Sequence, residues 1–271
     1  MPSRSGDVPK ATIELATESA LTHERVISEL ELLAGVEHAL CVEYLVIHCA
    51  LGHDQTPAEP GEVAQRVSEA AASAAAVAQD EMRHLHGVNR VLVAAGRTPR
   101  VARAVSITGD SGAELALVPP RLAEAEHLLE RLRAVAAAVD ERYARLRPAI
   151  DAEHAVLNGS ALEQLSFLLD PAPDHSAPVE AFAAKLEGLA PHQYLRATRH
   201  EPGDELERRL VVLSDSHYGL VVATVEAWFA EEDQLGGVLR GRSTSLMDGL
   251  NEINGVLVER GLMPPFTQVE T

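Results

Sequence analysis

The sequence predicts an all-α protein, a four-helix bundle carrying additional helices. Two observations predict it. Four long segments place apolar residues at helical spacing, and breaks rich in Pro and Gly separate them. Aromatic residues make up only 3% of the chain while alanine is abundant. Small residues allow close helix packing, whereas sandwich and barrel folds need runs of β-branched and aromatic residues that are scarce here.

Residues 1–20 read as a loose arm. The first helix is expected from Thr22 to Leu51, with Leu30, Leu33, Glu37, Cys41, Tyr44 and His48 on one face. The segment GHDQTPAEPG ends it. A second helix is expected from Glu62 to Ala95; Gly96 suits its C-terminal cap and Pro99 follows. Arg100 to Pro120 reads as a loop. A third helix starts near Arg121 and reaches at least Arg147, where Pro148 kinks or ends it. Its apolar row is Leu129, Leu132, Ala136, Val139, Tyr143 and Leu146. DPAPDHSAP reads as a loop and EAFAAKLEGL as a short helix. The fourth long helix is expected from Gly203 to Glu232, with the row Leu206, Leu210, Leu213, His217, Leu220, Thr224 and Trp228. GGVLRGRSTS is expected to break it before a last helix, and residues 240–271 form that C-terminal helix and tail. No domain linker is visible, so residues 1–271 read as one domain.

Composition bounds the function. The net charge of −18 sets the chain against a phosphate backbone or an anionic membrane, so neither nucleic acid nor membrane is an expected partner. No signal region opens the sequence, and no apolar run approaches the roughly 20 residues of a membrane span. The two cysteines, Cys41 and Cys49, lie about 12 Å apart along one helix and cannot pair with each other. A reducing, cytoplasmic setting is expected.

The chemistry lies where the helix rows are interrupted. Glu37 falls between Leu33 and Cys41, and Glu81 with His84 falls in the row Val77, Val88, Val91, Ala95. A buried carboxylate costs several kcal/mol unless it is paired or bound to a cation. Glu and His three residues apart share one helix face, so one metal ion can take an oxygen and a nitrogen from them. The plainer reading is a buried hydrogen-bonded Glu–His pair and a salt bridge for Glu37. Tyr44, two turns above Glu37, is expected to hydrogen-bond a metal-bound group, or else to be a core tyrosine. Cys41, beside Glu37 on its face, reads as a small packing residue or as a thiol near the metal. His23, His38, His53, His86, His127, His154, His175, His192 and His200 read as surface or core fillers.

These residues carry a resemblance. EHALCVEYL followed by AQDEMRHLHGVNRVLVAAGRTPRV is similar to the ferritin-like domain of the iminophenyl-pyruvate dimer synthase type, known from the violacein pathway. The agreement covers residues 30–101 and thins beyond them. VDERYARL resembles the family's third-helix segment and would carry a metal-binding Glu onto Glu141; SDSHYGLV resembles its late His-Tyr segment and would carry a His onto His217. Two departures stand against a full set. Periodicity places Asp140 nearer the row than Glu141, and Ser214 stands where a Glu is expected before His217. The family's Gly-Glu-Gly before the late His is also absent; RHEPGD with Glu201 is the nearest segment. His217 reads equally as a ligand or a core histidine. Two metal ions, one ion and a vestigial site all remain open.

The resemblance implies a ferritin-like fold and an enzyme using non-haem iron, one or two ions, with dioxygen as co-substrate. Oxidative transformation of a small amino-acid-derived substrate in specialised metabolism is the expected reaction class. The alternative is a non-catalytic ferritin-like metal-binding or partner subunit. The expected assembly is a homo-oligomer, a dimer.

Overall fold

The computed structural model describes residues 22–52, 61–109, 112–117, 127–151 and 157–267. In chain order these form α1 (His23–Ala50), α2 (Glu62–Ala94), β1 (Ser106–Thr108), β2 (Glu114–Ala116) and α3 (Leu128–Leu146). There follow α4 (Pro148–Asp151), α5 (Gly159–Leu168), α6 (Ser176–Leu186), α7 (Pro191–Tyr194), α8 (Glu205–Ala230) and α9 (Glu232–Glu259). The fold is all-α, as the periodicity predicts, and ferritin-like, as the resemblance implies. The expected N-terminal arm and the expected start of the third helix near Arg121 lie outside the described residues.

Helix α1 starts at a cap the sequence signals. Thr22 has extended backbone and its side-chain oxygen accepts from the Arg25 amide, satisfying one of the orphan donors of the first turn. Buried residues then run round nearly the whole helix, so α1 is the centre of the fold rather than one amphipathic wall. Helix α2 packs along it. Helices α3 and α6 close the bundle around Glu37, and the α8–α9 hairpin lies against α1 and α2 elsewhere.

The chain leaving α2 is tied down by residues of the family-like stretch. Asn89 accepts from the Arg100 amide at 2.6 Å and donates to the Arg100 carbonyl at 3.1 Å. The segment then crosses α1 at Gly35, whose carbonyl accepts from the Ala104 amide. A Cβ at Gly35 would stand 3.0 Å from the Ala102 carbonyl, a tight contact that favours glycine at this crossing. Beside it, the His38 Nδ1–H donates to the Val101 carbonyl and Nε2 accepts from the Tyr218 hydroxyl at 3.0 Å. Burial pulls His38 down to about 4, which keeps the ring neutral in that role.

Three expectations about elements are corrected. The loop after Arg100 contains an antiparallel hairpin, β1 with β2, in which Ile107 pairs with Leu115. Ile107 is buried and Gly112 takes the positive φ of the connection, so a short strand pair forms where only a loop was legible. DPAPDHSAP is not loop throughout: α6 begins at Ser176 within it. GGVLRGRSTS does not break the fourth helix either. The break falls at Glu231, and α9 runs through Gly237 and Gly241. Each glycine costs about 1 kcal/mol in a helix, but no proline intervenes, and Leu246, Leu250 and Leu257 are buried along the same helix. Contrary to the expectation that no apolar segment is long enough, helix α8 is, by length and composition alone, long and apolar enough to cross a membrane.

Candidate metal centre

Glu37 on α1, Glu81 and His84 on α2, and His175 at the N-terminal end of α6 converge. One ligand atom from each lies within 4.8 Å of all the others. His84 Nδ1 is 3.1 Å from Glu81 Oε2 and 3.6 Å from Glu37 Oε2. His175 Nε2 stands 3.3 Å from both Glu37 Oε1 and Glu81 Oε2, off the line of a hydrogen bond to either. Glu37, Glu81 and His175 are buried, and His84 keeps 22% of its side chain exposed. The carboxylates that interrupt the helix rows therefore do meet, and helical spacing is the reason: Glu81 and His84 project from one face of α2 toward Glu37.

The surrounding residues fix which atoms point inward. Asp140 on α3 is saturated by the start of α6. Its Oδ1 accepts from the His175 amide and the His175 Nδ1–H, both at 2.8 Å. Its Oδ2 accepts from the Ser176 amide at 3.2 Å and the Ser176 hydroxyl at 2.6 Å. That grip holds His175 in the tautomer whose Nε2 faces the cluster, the usual arrangement of a carboxylate behind a metal-binding imidazole. Tyr143, one turn further along α3, donates its hydroxyl to Glu37 Oε1 at 2.6 Å and stacks on the His175 ring with centroids 5.6 Å apart. Glu37 Oε2 and His175 Nε2 are left buried without hydrogen bonds.

The charges follow from this packing. Burial alone would push the Glu37 carboxyl up, but the imidazoles of His175 and His84 outweigh it and hold it well below the usual carboxylate range. Burial likewise works against protonated His84, yet Glu37 and Glu81 raise it to about 9. His175 is raised well above its ordinary value against its own burial, by Glu37, Asp140 and Glu81. Without a cation, protons on the two imidazoles balance the carboxylates. A divalent ion would take their place.

The other expected site residues lie elsewhere. Glu141 points away from the cluster and pairs with Arg145 one turn on, in agreement with periodicity and against the family-based placement. His217 on α8 donates from Nε2 to the Leu246 carbonyl at 2.9 Å and lies over Gly249, joining α8 to α9. Ser214, where a second Glu was expected, donates to Asn254 of α9. Tyr44 is buried in the apolar core, and the phenol that reaches Glu37 belongs to Tyr143. The buried carboxylate of Glu43 is answered differently, by Arg131 of α3.

His175 was missed because it caps a helix start. A lone histidine in a Pro-rich segment has no periodic neighbours to mark it. The one legible trace was Asp140, which the helical row of α3 favoured over Glu141, but its partner lies 35 residues further along the chain.

Residues 30–119, about a third of the chain, match the family model described as Ferritin-like. The matched span carries Glu37, Glu81 and His84 and ends before Asp140, Tyr143 and His175. No curated protein and no solved structure matches the chain.

Proposed function

We propose that this protein is a metal-dependent oxidoreductase that holds a single non-haem iron between Glu37, Glu81, His84 and His175 and acts on a small amino-acid-derived substrate. One observation carries the metal: two buried polar atoms, Glu37 Oε2 and His175 Nε2, lack hydrogen bonds and face a cluster of opposite partners. Groups of this kind are normally satisfied, and a cation satisfies both at once. Two carboxylates and two imidazoles form a mixed hard-oxygen and nitrogen set that suits Fe(II). Bound iron would supply redox chemistry with dioxygen, the co-substrate that the family-like stretch from Glu37 to Val101 implies. The substrate class rests on that same resemblance.

The chain's own residues do the positioning. Asp140 and Ser176 hold the His175 Nδ1–H, and Tyr143 holds Glu37 Oε1. Val36, Leu85, Val88 and Val139, close to these residues along their helices, are buried and apolar. Of the four residues that would hold the ion, His84 is the partly exposed one. A single ion is favoured because Glu141 and His217 are engaged with Arg145 and Leu246. Buried Cys41 and Cys49, both pushed up to about 12 by burial, stay as thiols, which suits a reducing cytoplasm.

Metal analysis of protein purified from iron-supplemented medium tests the reading. It predicts about one iron per chain, lost in Glu37→Ala and His175→Ala. Less than a tenth of an equivalent in the wild type would refute it. The burial of three of the four ligands favours a second reading, a non-catalytic metal-binding module. Aerobic iron loading separates the two: an enzyme gives an oxygen-dependent spectral change that responds to an amino-acid-derived substrate, whereas a binding module holds iron without that response.

A further inference from the structure

Helices α3 and α6 run side by side away from the metal-facing residues. Asp140 grips His175 and Ser176 at one end. Two turns back along α3, Arg133 meets Glu180 of α6, Nε donating to Oε1 at 2.7 Å and Nη2 to Oε2 at 2.8 Å. From this ion pair on, a groove of about 640 Å³ opens between the helices, within the range of small-ligand pockets. Helical spacing builds its walls. Leu129 and Arg133 share one face of α3, and Glu180, Ala183, Ala184 and Glu187 share one face of α6. Gly188 takes a positive φ just past α6 and turns the chain, so that Leu189 and Tyr194 of α7 close the far end. Leu186 and Tyr194 also face Val46, Phe182 and Met263 on their inner side, so core packing holds the floor in place.

The polar groups of the groove decide what it can hold. Two donors of Arg133 are committed to Glu180 in a bidentate pair. Arg66 of α2 donates to the carbonyls of Lys185 and Glu187 at the end of α6, and the Lys185 ammonium donates to the Ala181 carbonyl. The cations around the groove therefore already have acceptors. The Glu187 carboxylate, by contrast, makes no hydrogen bond and no ion pair among the described residues. Tyr194 lines the groove and is only 8% exposed, and its hydroxyl has no hydrogen-bond partner among the described residues. Polar groups this deeply buried are normally partnered. A ligand carboxylate would compete with Glu180 for Arg133 and would meet Glu187 as a like charge. A positively charged N–H donor satisfies both Glu187 and the phenol oxygen, and an apolar body suits Leu129, Ala183 and Leu189.

We propose that this groove binds a small organic amine, with its ammonium group on the Glu187 carboxylate and the Tyr194 hydroxyl and its apolar body against Leu129, Ala183 and Leu189. The site is separate from the metal-facing cluster and does not rest on it. His175 caps the start of α6 and Glu187 its end, about 18 Å apart along the helix axis.

The test is calorimetric titration of the full chain with 2-phenylethylamine. The probes 3-phenylpropionate and 2-phenylethanol carry a similar body with an anionic or a neutral group. The amine is expected to bind with a dissociation constant below about 1 mM, and the other two at least about tenfold more weakly. Glu187→Gln keeps the carbonyl that accepts from Arg66 and removes the charge, so it is expected to weaken the amine by about tenfold or more. Tyr194→Phe keeps the floor and is expected to weaken it by about two- to tenfold. Circular dichroism of both variants is expected to match the wild type. Saturation with Mn(II) is expected to leave the amine's affinity unchanged, because the groove lies apart from the cluster. The proposal is overturned by the absence of saturable binding up to about 10 mM amine, or by equal affinity for 3-phenylpropionate. Wild-type affinity in Glu187→Gln overturns it as well, and so does displacement of the amine by Mn(II), which would put the amine among the metal-facing residues.

Discussion

Replacing Asp140 by Asn tests whether α3 holds His175 in place for a metal. Asp140 accepts four hydrogen bonds, two on each oxygen, all from His175 and Ser176. Asn keeps one acceptor oxygen, enough for the two bonds from His175. Its amide nitrogen then faces the Ser176 amide and hydroxyl, both donors in the native arrangement. The hydroxyl can turn to accept, but the amide cannot. Bonds to a charged acceptor contribute about 1.5–3 kcal/mol each. Losing one of them, and the negative charge behind the imidazole, is worth about 1.5–3 kcal/mol of His175 placement. That agrees with the 10–100-fold change in metal affinity, about 1.4–2.7 kcal/mol, typical when a partner behind a ligand is removed. Calorimetric titration of metal-free protein with Mn(II) or anaerobic Fe(II) measures it, with circular dichroism as the folding control. Asp140→Asn should bind about 10–100-fold more weakly, and Ser176→Ala, which loses one bond, less weakly than that. Affinity within twofold of wild type in a folded Asp140→Asn would refute the reasoning.

Tyr143→Phe removes the donor to Glu37 Oε1 and leaves the packing; urea unfolding of the metal-free protein should show a loss of about 1–3 kcal/mol, and an unchanged midpoint would assign the hydroxyl no role. Glu141→Gln and His217→Ala should retain iron at the wild-type level because neither side chain reaches the cluster; loss of metal in a folded variant of either would contradict the single-ion site. Glu43 supplies a pH test away from the metal. Burial raises its carboxyl to about 7, against the pull of Arg131. The folded pKa lies above the unfolded value, so this group's contribution is fully present below about pH 4.5 and is lost as pH rises through 7. Relative to wild type, Glu43→Gln should therefore gain about 3 kcal/mol between pH 4 and pH 9. A difference between the two proteins that is flat across that range would sink the assignment.

Much of the fold was legible because the segments have helical periodicity and strong punctuation: Gly96 and Pro99 after α2, Pro148 after α3. The buried face of α8 was not: the expected row from Leu206 to Trp228 is not the core face, and α8 buries Glu207, Ser214, Tyr218, Val221, Val222, Val225 and Phe229 instead. The hairpin at Ile107 was too short to show a period of two, and the α9 glycines were read by local propensity where packing on α8 decides. The site divided in the same way. Glu37, Glu81 and His84 stood out because each interrupts an apolar row. His175 did not, because its position depends on Asp140 across the bundle and on no neighbour in its own segment. The family resemblance pointed to Glu141, and the helical row to Asp140. The row was correct about direction, since side-chain direction on a helix follows from geometry, whereas the role of Asp140, gripping an imidazole rather than a metal, follows from tertiary contact.

The central claim is that Glu37, Glu81, His84 and His175 together hold one ion. Anomalous diffraction from crystals grown with Fe(II) or Mn(II) tests it most directly. The expected result is one anomalous peak per chain, at ligand distance from Glu37, Glu81, His84 Nδ1 and His175 Nε2. The contradicting result is a metal-saturated crystal with no peak between these four side chains, or with a peak pair that recruits Glu141 or His217.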